Sequence, residues 1–171
     1  MLLNKIIMFY TMNIAGLERN LEKFPVSDKL DIAAFIIFGD VELTIKGCEE
    51  LLKRVPEFDV ILTPEAKSIP MAYEMARQSG KPYIIARKGV KVYMRNPLEV
   101  NVTSITTQKE QKLFLGETEV NQIKGKRVLI IDDVISTGES LAAIEELVVK
   151  AGGNVVGRMA ILAEGNAANR D

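Results

Sequence analysis

The chain alternates short apolar runs with stretches whose apolar residues recur at helical spacing, and this alternation constrains its fold most. Phe58–Leu62, Tyr83–Ala86, Val128–Ile131 and Val155–Ala163 read as strands. Between them, Val41, Ile45, Cys48 and Leu52 follow a helical repeat up to Arg54, with Asp40 placed to cap its start and Pro56 stopping it. Ile69–Gln78 reads as a second helix, with Pro70 in its first turn and Gly80 just past its end. Leu141, Ile144, Leu147, Val148 and Ala151 share one face of a third, ended by Gly152-Gly153. Strands alternating with amphipathic helices imply an α/β fold, a parallel sheet flanked by helices, whose ligands bind beyond the carboxyl ends of the strands.

Three stretches stand outside that pattern. Residues 1–40 read as an arm or hood, with a first strand or arm, a stretch around Asn20–Lys29 and an apolar run, Ala33–Phe38, ending at Gly39-Asp40. Met1–Tyr10 is apolar but broken by Asn4 and Lys5, too short to cross a bilayer, and Met8 and Met12 are alternative starts. Residues 89–116 change to short alternating Thr-rich and Val-rich pieces around Asn96-Pro97, which predicts a protruding antiparallel hairpin or a flexible flap.

At 171 residues, 47% of them apolar, the chain has the size of a single domain, 1–171, able to bury a core. Its 22 basic and 23 acidic residues nearly cancel, so it lacks the electrostatic footprint for nucleic acid or an anionic membrane surface. It contains no histidine, which removes Ser-His-Asp and Cys-His catalysis, imidazole acid-base chemistry and imidazole metal sites. Proton work falls to carboxylates, Lys, Tyr, hydroxyls or the substrate. The one cysteine, Cys48, makes no internal disulfide; it fits a reducing cytoplasm and, on an apolar helix face, an inert buried thiol.

The chemistry concentrates in Val128-Leu129-Ile130-Ile131-Asp132-Asp133-Val134-Ile135-Ser136-Thr137-Gly138-Glu139-Ser140. A buried strand delivers two carboxylates to the sheet's carboxyl edge, and a hydroxyl-rich turn then opens a helix. Backbone N–H groups there, with the Ser136, Thr137 and Ser140 hydroxyls, form a neutral cradle for a phosphate. The acids repel a phosphate; they suit sugar hydroxyls or a metal ion brought by the ligand. Ser136 and Glu139 also have the spacing of a capping box. The acid pair lies too far along the chain for a receiver domain, and the Gly-x-x-x-x-Gly-Lys-Ser/Thr of a P-loop NTPase is absent.

This constellation resembles the ribose-phosphate signature of the type I phosphoribosyltransferases, nearest to their adenine and xanthine enzymes. Glu65-Ala66-Lys67-Ser68, between a strand and a helix, resembles the family's pyrophosphate-binding turn, and Ala86-Arg87-Lys88 its second anion contact. The resemblance runs from about Phe35 to Ala163. It implies transfer of a phosphoribosyl group from phosphoribosyl pyrophosphate to a purine, with Mg2+ bound mainly through the substrate, in a cytoplasmic homodimer. Asp132 and Asp133 then serve the ribose, Ser136, Thr137, Gly138, Glu139 and Ser140 the 5-phosphate, and Ala66, Lys67, Ser68, Arg87 and Lys88 the pyrophosphate.

The same resemblance makes Thr106, Thr107, Gln108 and Lys109 the polar part of the flap. Gln108 stands where adenine enzymes commonly carry a Glu, although Glu110 is close by. Ile37, Phe38 and Gly39 match a base-reading Phe-Arg-Asp stretch with Gly39 in place of the Arg, Phe38 being either core or stacking platform. Glu164 takes the place of a lysine that meets the 6-oxo group in oxopurine enzymes, and as an acceptor it suits adenine's 6-amino group. The alternatives are an oxopurine (xanthine or hypoxanthine) enzyme and a non-catalytic phosphoribosyl-pyrophosphate-binding regulator; the latter usually adds a DNA-binding module. Members of the family usually continue past the last matched strand, whereas this sequence stops at Asn169-Arg170-Asp171, which implies that part of the base pocket lies outside it.

Overall fold

The structure, a computed structural model, describes residues 7–102, 111–136, 138–165 and 167. Its centre is a four-stranded parallel sheet in the order β5-β4-β8-β9, built from β4 (Val60–Pro64), β5 (Tyr83–Ala86), β8 (Arg127–Ile135) and β9 (Asn154–Ala163). Alternate residues of the two inner strands supply two cores. Ile61, Leu129 and Ile131 pack with Leu43, Cys48, Met71 and Met75 of α1 (Val41–Leu52) and α2 (Ile69–Ser79). Val60, Leu62, Val128 and Ile130 pack on the other face against Ala143, Ile144, Leu147 and Val148 of α4 (Glu139–Lys150). Coverage on both faces is why these strands are apolar without alternation.

The helix boundaries follow their caps. Asp40 accepts a hydrogen bond from the Leu43 N–H at 3.0 Å and opens α1. Pro70 lies in the first turn of α2, and Gly80, at φ +69°, closes it in the left-handed conformation that glycine adopts without steric cost. The capping box does not form: α4 starts at Glu139 behind Gly138, with no side-chain cap. Glu139 is therefore the first helical residue, not the third, and cannot reciprocate a Ser136 cap.

Two elements depart from the sequence reading. β8 continues through both aspartates to Ile135, because β9 pairs with it as far as Ile135↔Ala163. The expected hairpin exists as β6 (Leu98–Val102) and β7 (Gln111–Leu115), but its base does not protrude. Val100, Val102, Leu113 and Leu115 point into the α4-side core, since Leu98, Val100 and Val102 share one face of β6 and Leu113 and Leu115 one face of β7. A short helix, α3 (Glu117–Ile123), follows, buried through Ile123.

Residues 9–33 form a separate three-stranded antiparallel sheet, β1 (Phe9–Ile14), β2 (Leu17–Ser27) and β3 (Leu30–Ala33). Arg19 ties it to the body: its Nε and Nη2 donate to the Asp40 carboxylate at 2.6 and 3.0 Å, and Nη2 also to Glu42 at 2.8 Å. In the Ala33–Phe38 run only Phe35 and Ile37 are buried; Ile36 and Phe38 alternate out to solvent. No helix among the described residues is long and apolar enough to cross a membrane.

Candidate active site

The strand order fixes where a ligand can enter. From β4 the chain crosses through α2 to β5 on one side, and from β8 through α4 to β9 on the other. Beyond the carboxyl ends of β4 and β8 the connections diverge, which opens a crevice at this switch point. A cavity of about 220 Å³ lies there. Glu65, Ala66, Lys67 and Ser68 line it from the turn after β4, Lys88 from the end of β5, Asp132 and Asp133 from β8, Ser140 from the first turn of α4, and Gln111 and Leu113 from the hairpin.

Its electrostatics are divided. Lys67 and Lys88 supply positive charge, and Asp132 and Asp133 face them with the only two carboxylates that β8 carries. Burial pushes the Asp132 carboxyl well above the ordinary carboxylate range, and the adjacent Asp133 adds to this, while the Asp133 N–H, 2.9 Å from Asp132 Oδ1, and the Ser68 hydroxyl pull the other way. Asp133 is 6% exposed, and its Oδ2 is buried with no hydrogen-bond partner among the described residues. Such an oxygen is costly in a folded chain, and it marks a place suited to a donor that the described residues do not provide.

The anion side is held by Glu65, whose role the sequence reading did not foresee. Its carboxylate accepts from the Lys88 N–H at 2.9 Å and from Arg87 Nη1 at 3.3 Å. These bonds, the Lys88 N–H first, hold it below the usual carboxylate range. The Glu65–Ala66 peptide bond is cis. Arg87 exchanges both backbone hydrogen bonds with Phe114, at 2.9 and 2.8 Å, which joins β5 to the hairpin.

The expected site residues therefore separate into groups. Asp132, Asp133, Ala66, Lys67, Ser68, Lys88 and Ser140 converge on the cavity. Arg87 does not line it: its guanidinium turns to Glu65 and to the Tyr93 hydroxyl, 3.4 Å away, because a carboxylate beside it competes for the charge. Gly138 lines a different cavity, of about 510 Å³, between α4 and β9, and Ser136 and Glu139 line neither. Ile37, 1% exposed, is a core residue, so its side chain is not a base contact; Phe38 is 51% exposed and Gly39 is at the surface. Glu164 is exposed just past β9, its N–H bonded to the Ile135 carbonyl at 2.8 Å. Thr106, Thr107, Gln108 and Lys109, and Thr137, lie outside the described residues.

The sequence reading named Glu65 only as part of its turn and missed Gln111 and Thr63, all three of which left only faint signals. Thr63 is a hydroxyl inside a buried apolar strand, and Glu65 is the first residue past that strand's end. Cys48 is fully buried and its thiol is pushed up to about 12, mainly by burial, as the inert reading requires.

Comparison with known proteins adds ancestry to this geometry. Residues 40–171 match the phosphoribosyl transferase domain. The adenine phosphoribosyltransferase of Thermotoga petrophila is 33% identical over 154 residues, 85% of this chain and 84% of that protein. The hypoxanthine/guanine phosphoribosyltransferase of Methanothermococcus okinawensis is 34% identical over 149 residues, 87% of this chain and 75% of that one. Among solved structures, the adenine phosphoribosyltransferase of Thermoanaerobacter pseudethanolicus superposes with a TM-score of 0.70 at 20% identity, covering 84% of this chain and 95% of that one.

Proposed function

This chain belongs to the phosphoribosyl transferase domain family, and on that premise we propose that it transfers the phosphoribosyl group of phosphoribosyl pyrophosphate to a purine base, adenine first, releasing pyrophosphate. The observation that carries the reading is the cavity at the β4/β8 switch point, where two carboxylates face two lysines across a turn. A diphosphate needs cations and N–H donors; a ribose offers hydroxyls to carboxylates. The cavity has both, side by side.

In this reading Lys67 and Lys88 take the charge of the diphosphate, with Ser68 and the turn's amides beside them. Asp132 and Asp133 accept hydrogen bonds from the ribose hydroxyls, the unpartnered Asp133 Oδ2 receiving the donor that it lacks. Ser140 and the start of α4 meet the 5-phosphate. A bond forms from a purine nitrogen to C1 of the ribose as the C1–O bond breaks; the electron pair of that bond leaves on the diphosphate, and the proton displaced from the purine leaves with it. The two carboxylates steady the positive charge that develops on the ribose, so catalysis is positioning and electrostatics and needs no histidine. The acid pair would also hold a divalent ion brought in on the substrate's own oxygens, and Mg2+ held there would supply positive charge beside the leaving group. The small antiparallel sheet acts as a hood, and the enzyme works as a cytoplasmic homodimer.

The relatives themselves supply the second reading of the base, since the Methanothermococcus okinawensis protein is a hypoxanthine/guanine enzyme of similar identity. The test is pyrophosphate release from phosphoribosyl pyrophosphate and Mg2+ with adenine, hypoxanthine, guanine, xanthine or orotate. Turnover with adenine is expected. Turnover confined to oxopurines replaces the base assignment, and none with any base refutes the transferase reading.

A further inference from the structure

Thr63 is the one polar side chain in β4, and it is fully buried. Its Oγ1 lies 2.7 Å from the Ser68 hydroxyl and 3.0 Å from the carbonyl oxygen of Ile131. Its position explains both contacts. The β4–β8 ladder pairs Val60↔Val128, Ile61↔Leu129 and Leu62↔Ile130, and ends there as the two strands part around the crevice. At the next step a side chain replaces the ladder: Thr63 reaches the carbonyl of the residue directly before Asp132. Ser68, also fully buried, stands at the far end of the turn that carries Lys67. Its hydroxyl lies 3.3 Å from the Pro64 carbonyl oxygen, and it stands close enough to the Asp132 carboxyl to draw that group's pKa down.

We propose that Thr63 is a positioning residue for phosphoribosyl transfer: its buried hydroxyl ties the Glu65–Ser68 turn to β8 at Ile131, directly before Asp132, and so sets the distance between the diphosphate subsite and the Asp132–Asp133 pair. The inference rests on the function proposed above. The bond that breaks joins the two subsites, so their separation decides whether C1, the leaving oxygen and the incoming nitrogen line up. A shift of the turn relative to β8 leaves each half of the substrate its own contacts and raises the barrier between them. Displacements of about 1 Å cost up to roughly a hundredfold in rate in such arrangements. A hydroxyl that served packing alone would act on stability and leave the alignment untouched.

The experiment compares wild type with Thr63→Val, which keeps the shape and removes the hydroxyl, Thr63→Ala, which removes both, and Thr63→Ser, which restores the hydroxyl alone. Each is checked for folding by circular dichroism and thermal midpoint before initial rates are measured against phosphoribosyl pyrophosphate. The expected result is a kcat at least tenfold lower in Thr63→Val and Thr63→Ala, KM for phosphoribosyl pyrophosphate within threefold of wild type, and kcat recovered to within threefold in Thr63→Ser. An unchanged kcat in a folded Thr63→Val or Thr63→Ala protein, a rise in KM alone, or a Thr63→Ser protein as slow as Thr63→Val overturns the proposal. If neither hydroxyl-free variant folds, the hydroxyl serves stability and the proposal also fails. An inactive wild type overturns the functional reading and the inference with it, whereas an active wild type beside an equally active Thr63→Val overturns the inference alone.

Discussion

Replacing Asp133 by asparagine keeps the shape of the side chain and removes its charge, which separates what the carboxylate does for the ligand from what it costs the fold. Asp133 is 6% exposed, its Oδ2 has no partner among the described residues, and it adjoins a second buried carboxyl at Asp132. Hydrogen bonds to a charged group contribute about 1.5–3 kcal/mol. At about 1.4 kcal/mol per tenfold, losing one from a ribose hydroxyl lowers kcat/KM roughly 10- to 150-fold. The fold should respond in the opposite direction. A buried unsatisfied polar atom costs about 1–3 kcal/mol, and the asparagine amide can donate to Asp132. A gain of about 1 kcal/mol raises the thermal midpoint of a chain of this size by about 2–4 °C. Pyrophosphate-release kinetics and calorimetry of the ligand-free protein measure the two effects. Unchanged kinetics would remove Asp133 from the site. A lowered midpoint beside lowered activity would show that the carboxylate supports the fold, contrary to the reasoning from its orphaned oxygen.

Lys67→Gln should raise KM for phosphoribosyl pyrophosphate about tenfold with the thermal midpoint unchanged, since Lys67 lines the cavity and is exposed; initial rates over a substrate series decide it, and an unaltered KM moves the diphosphate elsewhere. Ile144→Ala, in the α4-side core and fully buried, should cost about 2–5 kcal/mol in urea denaturation, because truncation leaves a cavity between α4 and the sheet. The pH dependence of ligand-free stability should have two arms. Asp132, raised by burial, contributes stability that is full below the ordinary carboxylate pKa of about 4 and is lost as pH rises through its higher folded value. Asp59, held far below its usual range by hydrogen bonds from Arg127, contributes stability present above about pH 4 and lost as pH falls through its depressed value. Thermal midpoints from pH 3 to 8 should then flatten on the neutral side in Asp132→Asn and on the acid side in Arg127→Gln; parallel curves for wild type and variants would refute the assignment.

The alternation of buried runs with amphipathic stretches was sufficient to place the parallel sheet, because a strand covered on both faces and a helix covered on one leave different periods in the chain. The acid pair and the Lys67 turn were legible for the same reason: both follow strands whose carboxyl ends must meet. What escaped the sequence depends on pairing between distant segments. β8 runs past the aspartates because β9 lies beside it, and the hairpin base is core because α4 packs on it. Arg87 leaves the cavity only because Glu65, in another connection, reaches its guanidinium. The capping box was a local pattern overridden by Gly138, whose φ of +84° lets α4 begin two residues later. Phe38 stayed ambiguous in the sequence, since a run that is half buried reads the same in either register.

The account stands on one arrangement, the Asp132–Asp133 pair opposite Lys67, Ser68 and Lys88. A crystal structure with phosphoribosyl pyrophosphate and Mg2+ tests it most directly. The ribose hydroxyls should lie within hydrogen-bond distance of Asp132 and Asp133, with Asp133 Oδ2 now partnered, and the diphosphate against Lys67 and Ser68. A ligand seated between α4 and β9, or a diphosphate turned toward the acid pair, would contradict it.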